Sequence, residues 1–208
     1  MVKPTRSAED DIYTFVTNNH VIGDLSDDNV KRYLLEFKSV PGMKPFQLGR
    51  ESTGFKWTDK DIDATIIEIK LSSDARFLNL GTRFLEVGNV IPGTPGAVIG
   101  HPEGGQPSFD HGIISQIINE YQVLHRSSTK PGNSGSPLVS LEGQAVGIHC
   151  GSYNADNNAA VSLDFVLKRF ILEREDYNSN DKKGCNFYIR NSFIKLLFEN
   201  EYTTYTLF

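Results

Sequence analysis

Short segments rich in β-branched and aromatic residues recur along most of the chain, each closed within a few positions by Gly, Pro, Asn or Asp. No other feature limits the fold as much. Ile12–Thr17 (IYTFVT), Tyr33–Phe37, Ala64–Leu71 (ATIIEIKL), Ala97–Gly100, Gly112–Ile118, Tyr121–His125, Ser136–Ser140 and Gln144–Ile148 all read as strands. Between them lie turn signals: Thr17–His20, Val87–Pro95 and His101–Gly105. Glu142-Gly143 marks a hairpin. Lys56–Asp61 reads as a polar loop. Many short strands at fairly even spacing point to an all-β barrel or sandwich. One segment breaks the pattern. Leu163, Val166, Leu167, Phe170 and Ile171 repeat at helical spacing, which gives an amphipathic helix over Leu163–Glu175. Asn178–Gly184 reads as a linker, followed by an apolar stretch at Phe193–Phe198 and a Tyr/Thr-rich tail.

Composition narrows the function classes. With 208 residues, 38% hydrophobic and 23% charged, the chain has material for one domain or two fused half-domains. A net charge of -5 without a dense Lys/Arg block argues against a nucleic-acid partner. Cys150 and Cys185 are too few for a disulfide framework, and neither sits in metal-ligand spacing, so no metal is expected. No apolar run reaches the roughly 18 residues of a membrane span, and the start lacks a leader-type stretch. The expectation is an intracellular chain, cytosolic or nuclear, with no membrane partner.

The segment that points to chemistry is Pro131-Gly132-Asn133-Ser134-Gly135-Ser136-Pro137-Leu138. Glycines on both sides of Ser134 allow a tight turn that exposes the hydroxyl. Such a turn also aims the amides of Gly132 and Ser134 at one point, where an acyl oxyanion would sit. A plain Gly/Ser turn between strands would read the same. A serine hydroxyl needs a base, and the base needs an orienting acid. His20 follows the first strand in Thr-Asn-Asn-His-Val-Ile, and Asp63 precedes the strand Ala-Thr-Ile-Ile-Glu-Ile. Alone, each reads as a strand-end or turn residue. Together they stand in the order His, Asp, Ser, a known chain order for this triad.

TNNHVI, DATIIEI, GNSGSPL and VGIHCG (146–151) resemble, in order, four segments of chymotrypsin-fold serine peptidases. These are the His segment, the Asp-then-strand segment, the nucleophile loop and the strand lining the S1 pocket. The flavour is that of the glutamyl-endopeptidase and trypsin-like peptidase branch, and the resemblance covers residues 12–170 or so. It implies an all-β fold of two six-stranded-type antiparallel β-barrels, with the site between them and a C-terminal helix on the second barrel. It also implies a serine endopeptidase acting on protein or peptide substrates without a cofactor. His20 would be general base, Asp63 its orienter and Ser134 the nucleophile, with Gly132 and Ser134 forming the oxyanion hole. Asp61 is the rival acid, set aside because it would need a two-residue slip of the strand that follows. In glutamyl-specific relatives a His in Gly-Ile-His faces the P1 side chain, assisted by a Thr five residues before the nucleophile. Here these are His149 and Thr129, which implies a preference for Glu or Gln at P1. The base-of-pocket position where Lys/Arg cleavage would want an Asp is Ser128. His101 matches a structural turn, His111 and His125 show no partner spacing, and Cys150 reads as a buried thiol.

The chain departs from the family in one place. Only eleven polar residues precede Ile12, where the family has about two more strands. The first barrel is therefore expected to be N-terminally incomplete. The expected division is 1–85 for that barrel, 86–178 for the second barrel and helix, and 179–208 for a tail without a family counterpart. A non-catalytic peptide-binding or scaffolding module on a truncated protease fold stays open as the alternative.

Overall fold

The computed structural model describes residues 10–22, 34–35, 46–47, 53–72, 83–85, 87–180 and 196–198. Cys185, most of the 179–208 tail and the ends of the Tyr33–Phe37 segment lie outside them.

The second half closes on itself. Strands β7 (Pro95–Gly100), β8 (Ser108–Ile117), β9 (Gln122–His125), β10 (Pro137–Ser140), β11 (Ala145–Ser152) and β12 (Asn158–Ser162) form a closed antiparallel barrel in the order β10-β11-β12-β9-β8-β7. Closure removes the free edges that an open sheet would leave. Alternating side chains fill its interior, with Val98, Ile114, Val123, Leu138, Val146 and Ala160 in one buried cluster. The expected hairpin at Glu142-Gly143 joins β10 to β11. Gly143 has a φ of 75°, and its amide donates to Ser140 O at 3.0 Å.

The first half is a three-stranded antiparallel sheet, β1 (Asp10–Thr17), β5 (Ala64–Ser72) and β4 (Thr53–Asp59), in the order β1-β5-β4. Two small ribbons accompany it. Leu34–Leu35 (β2) pairs with Phe46–Gln47 (β3), and Arg83–Leu85 (β6) pairs with Leu196–Phe198 (β13). Among the described residues this half forms no closed barrel, and a strand from the far C-terminal end joins it. The polar loop read at Lys56–Asp61 is corrected. Thr53–Asp59 is a strand, and only residues 60–63 turn. Trp57 points into the core while Thr58 is exposed, so the segment has the one-sided burial of an edge strand.

The helix α2 (Leu163–Asn180) runs beyond the expected end at Glu175, so residues 178–180 are helix rather than linker. It packs on both halves rather than on the second barrel alone. Leu163, Val166, Leu167 and Phe170 share one buried cluster with Val16, Trp57, Ile62, Ala64 and Ile66 of the first half and Ala145, Ile148 and Val161 of the second. Phe170 meets Trp57 edge-on at 6.1 Å between ring centroids. Polar contacts fix the same docking. Trp57 Nε1 donates to Glu173 Oε2 at 2.5 Å, and Arg169 pairs with Asp59 at 3.0 Å. Asp59 and Glu173 thus tie the helix to the first half.

Candidate active site

The site is assembled where the first sheet meets the second barrel. Strand β1 ends at the buried Thr17, and the chain turns into the short helix α1 (Asn19–Ile22). Val21 and Ile22 are buried on that turn, which leaves the His20 ring exposed. The β4–β5 turn delivers Asp63 in a left-handed conformation, φ 52°, which Asp tolerates better than most residues. Its carboxylate grips His20 twice. The ring Nδ1 lies 2.6 Å from Oδ2, and the main-chain N–H of His20 donates to Oδ1 at 2.8 Å. This bond to Asp63 raises the pKa of the imidazole above its ordinary value, while partial burial pulls the other way. Asp61 is exposed, and its own amide donates to Asp59 Oδ1 at 2.9 Å.

The loop carrying Ser134, the expected nucleophile, comes from the second barrel, between β9 and β10. Gly132 has a φ of 95°. A Cβ there would stand 2.8 Å from Glu103 N and 2.9 Å from His101 O, both main-chain atoms, so only glycine fits. The amides of Gly132 and Ser134 donate to no group among the described residues. Ser134 is half-buried, and its hydroxyl donates to the main-chain carbonyl of Cys150 at 3.0 Å. Asn133 is fully buried and its Nδ2 donates to Asp110 at 3.3 Å, anchoring the loop to β8. The Cys150 thiol is pushed up to about 12, first by burial and then by the charge of Asp63. It therefore stays protonated, which makes it a poor nucleophile.

The two residues expected at the P1 pocket differ in setting. Thr129 is half-buried on the segment leading into the loop, its amide bonded to Ser127 O at 2.9 Å. His149, on β11, is 2% exposed and lies in a network that sequence reasoning missed. Its Nδ1 is 3.0 Å from Nε2 of the fully buried His125. Burial pushes both imidazoles down, His125 to about 4 and His149 to about 3, so both are neutral at pH 7. The tautomers follow from the partners. The Ser127 amide can only donate, and it donates to His125 Nδ1 at 3.3 Å. The proton of His125 is then on Nε2, which donates to His149 Nδ1. His149 must carry its own proton on Nε2. That Nε2 has no partner among the described residues, and it is not one of the side-chain atoms sealed from solvent. His101 is buried, its Nδ1 3.0 Å from Gly105 O in the turn beneath Gly132, while His111 is exposed. Among the described residues no His/Cys/Asp/Glu group has the arrangement to hold a metal ion.

Asn18 also escaped the sequence reading. It is fully buried, and its side chain bonds Asp63, Gly135 and Cys150.

Comparison with known proteins identifies the family. Residues 5–148 match the family model described as a trypsin-like peptidase domain. Proteins described as "Serine protease HtrA-like" from two Staphylococcus aureus strains, MRSA252 and bovine RF122 / ET3-1, are 30% and 28% identical over 92% and 90% of this chain. The chain spans about a quarter of their length, 26% in each case. Two solved structures share the fold at 20% identity and a TM-score of 0.54. A mutant of Rv3671c from M. tuberculosis in an inactive form matches over 82% of this chain and 80% of its own. A serine endoprotease from Yersinia pestis matches over 74% of this chain and 51% of its own. The family model covers well over half of the chain and ends one residue before His149. The chain belongs to the trypsin-like peptidase family.

Proposed function

We propose that the chain is a serine endopeptidase in which Ser134 attacks the scissile carbonyl of a protein or peptide substrate. The observation that carries this reading is the double grip of Asp63 on His20. It fixes the ring, holds the proton on Nδ1 and leaves Nε2 free as a base. Turning the Ser134 hydroxyl from the Cys150 carbonyl toward His20 lets the imidazole take its proton as Oγ bonds to the carbonyl carbon. The free amides of Gly132 and Ser134 receive the developing oxyanion. The imidazolium, stabilised by Asp63, then returns the proton to the leaving amine, and water resolves the acyl-enzyme by the same path. A base must be neutral to act. The raised pKa of His20 therefore puts the acid limb of kcat/KM above pH 6.5, with activity rising as pH rises through it.

The same reading extends to the P1 residue. With its proton held on Nε2, His149 can only donate there, so it suits a side chain ending in an acceptor: the carboxylate of Glu or the amide oxygen of Gln. An apolar P1 residue would leave that donor unpaired in a dry pocket, a loss of about 1–3 kcal/mol. A peptide library with P1 varied tests this. Cleavage after Glu or Gln at least tenfold above Phe, Lys or Arg is expected, with the difference lost in His149→Ala. Cleavage mainly after aromatic residues would refute the pocket assignment.

A further inference from the structure

We infer that Asn18 is a positioning residue that sets the two halves of the active site at their working separation. The inference rests on the proposed roles of Ser134, His20 and Asp63. Asn18 is two residues from His20 in sequence, yet its side chain bonds the Asp63 turn, the loop after Ser134 and strand β11. Nδ2 donates to the main-chain carbonyl of Asp63 at 3.1 Å and to Cys150 Sγ at 3.3 Å. Oδ1 accepts from the Gly135 amide at 2.6 Å. An amide N–H can only donate, so the orientation of the carboxamide is fixed by Gly135.

The topology gives these bonds their meaning. His20 and Asp63 belong to the first half, and Ser134 to the second. Within the first half, the Asp63 grip already holds His20. Within the second, Gly135 N also donates to His149 O at 2.9 Å, which ties the nucleophile loop to β11. Neither set of bonds fixes one half against the other. Asn18 does, since its oxygen holds the residue after Ser134, and its nitrogen holds both the acid's backbone and the residue whose carbonyl receives the Ser134 hydroxyl. The apolar cluster under α2 joins the same two halves, through Val16, Trp57, Ile62 and Ala64 on one side and Ala145, Ile148 and Val161 on the other. Apolar contacts are non-directional, whereas the hydrogen bonds of Asn18 fix distance and angle between residues on both sides of the transfer. Fully buried, the carboxamide has no water to replace a lost partner, so its geometry is stiff.

Asn18 touches neither the substrate nor the moving proton. Its loss should lower the rate of acylation and leave substrate binding nearly intact. A misplacement of about 1 Å between reacting groups costs on the order of a hundredfold in rate. The test measures the second-order rate constant of fluorophosphonate labelling, and kcat and KM per titrated active site. The proteins are wild type, Asn18→Ala, Asn18→Asp and Ser134→Ala, each with its urea unfolding transition recorded. Asn18→Asp keeps an acceptor for Gly135 but sets oxygen against the Asp63 carbonyl, so it isolates the donor bonds. The expected result is a cooperative transition for both Asn18 variants, labelling and kcat reduced roughly thirtyfold to a hundredfold per site, and KM within threefold. A merely structural role would reduce the number of titrated sites and leave kcat per site unchanged, which would overturn the inference. Failure of both variants to unfold cooperatively would also overturn it, because Asn18 would then be a folding residue. Ser134→Ala separates the two layers of the argument. If it is silent while the Asn18 variants label at the wild-type rate, only the role of Asn18 falls. If Ser134→Ala labels like wild type, the triad reading falls with it.

Discussion

Replacing Asp63 by Asn tests the base assignment through a single atom. Oδ1 of Asp63 accepts from the main-chain N–H of His20 at 2.8 Å, and Oδ2 faces ring Nδ1 at 2.6 Å. The main-chain N–H can only donate, so the Asn oxygen must stay on it. The new NH2 is then forced toward Nδ1, which becomes an acceptor. The ring proton moves to Nε2, the atom proposed to take the proton from Ser134. Restoring the working tautomer requires an amide flip that sets NH2 against N–H and orphans a donor, at about 1–3 kcal/mol. The imidazolium formed in the transition state also loses a charge-assisted bond, about 1.5–3 kcal/mol. The His20 side chain is 49% exposed and that of Asp63 31%, so solvent screening places the sum in the lower part of its range. At about 1.4 kcal/mol per factor of ten, the expected loss in kcat is about 10²–10³-fold. Without the carboxylate the His20 pKa also falls, so the acid limb of kcat/KM moves to lower pH. The assay is kcat per titrated active site from pH 5 to 9, with Asp61→Asn as control. The hydrogen bonds of His20 to a carboxylate go to Asp63, so Asp61→Asn should stay within twofold of wild type. A loss below tenfold in Asp63→Asn, or an equal loss in Asp61→Asn, would refute the reasoning.

Other perturbations test other parts of the account. Phe170→Ala removes a 5%-exposed ring that joins the helix to Trp57, and should lower the unfolding free energy by about 3–5 kcal/mol in urea titration. Gly132→Ala must place a Cβ 2.8 Å from a main-chain nitrogen at a φ of 95°, so loss of the oxyanion geometry should cut kcat by about 10²–10³-fold with KM little changed. His125 and His149 are held at about 4 and about 3 in the fold, against about 6.5 when unfolded. The unfolded chain binds more protons in that window, so their stability contribution is complete above pH 6.5 and is lost as pH falls toward about 3. His20 acts with the opposite sign, contributing most below pH 6.5. Urea midpoints at pH 7.5 and 5 should differ, and the double variant His125→Gln/His149→Gln should flatten the difference.

The fold was legible wherever β-branched runs were bounded by turn signals. Ala64–Leu71, Gly112–Ile117 and Ala145–Ile148 are such runs, and all lie in strands. Strand β12, Asn158–Ser162, went unread because Asn-Ala-Ala-Val-Ser has two small residues where alternation needs bulk. That omission hid the His125–His149 pair. β12 lies between β9 and β11, and only this strand order brings residues 24 apart in sequence within 3.0 Å. Strand β4 was hidden by Lys56 and Asp59, which on an edge strand are compatible with pairing. The site was legible as segments, because glycines around a serine and residues at strand ends leave local marks. Asn18 left none. Its partners stand 45, 117 and 132 residues away, and a buried carboxamide looks in sequence like any turn asparagine.

The most direct test of the central claim is the position of a covalent fluorophosphonate adduct. After treatment of the folded chain, intact mass should show one phosphonyl group, and peptide mapping should place it on Ser134. Ser134→Ala should gain none while keeping its unfolding transition. An unmodified wild-type chain, or an adduct retained in Ser134→Ala, would contradict the assignment of Ser134 as nucleophile.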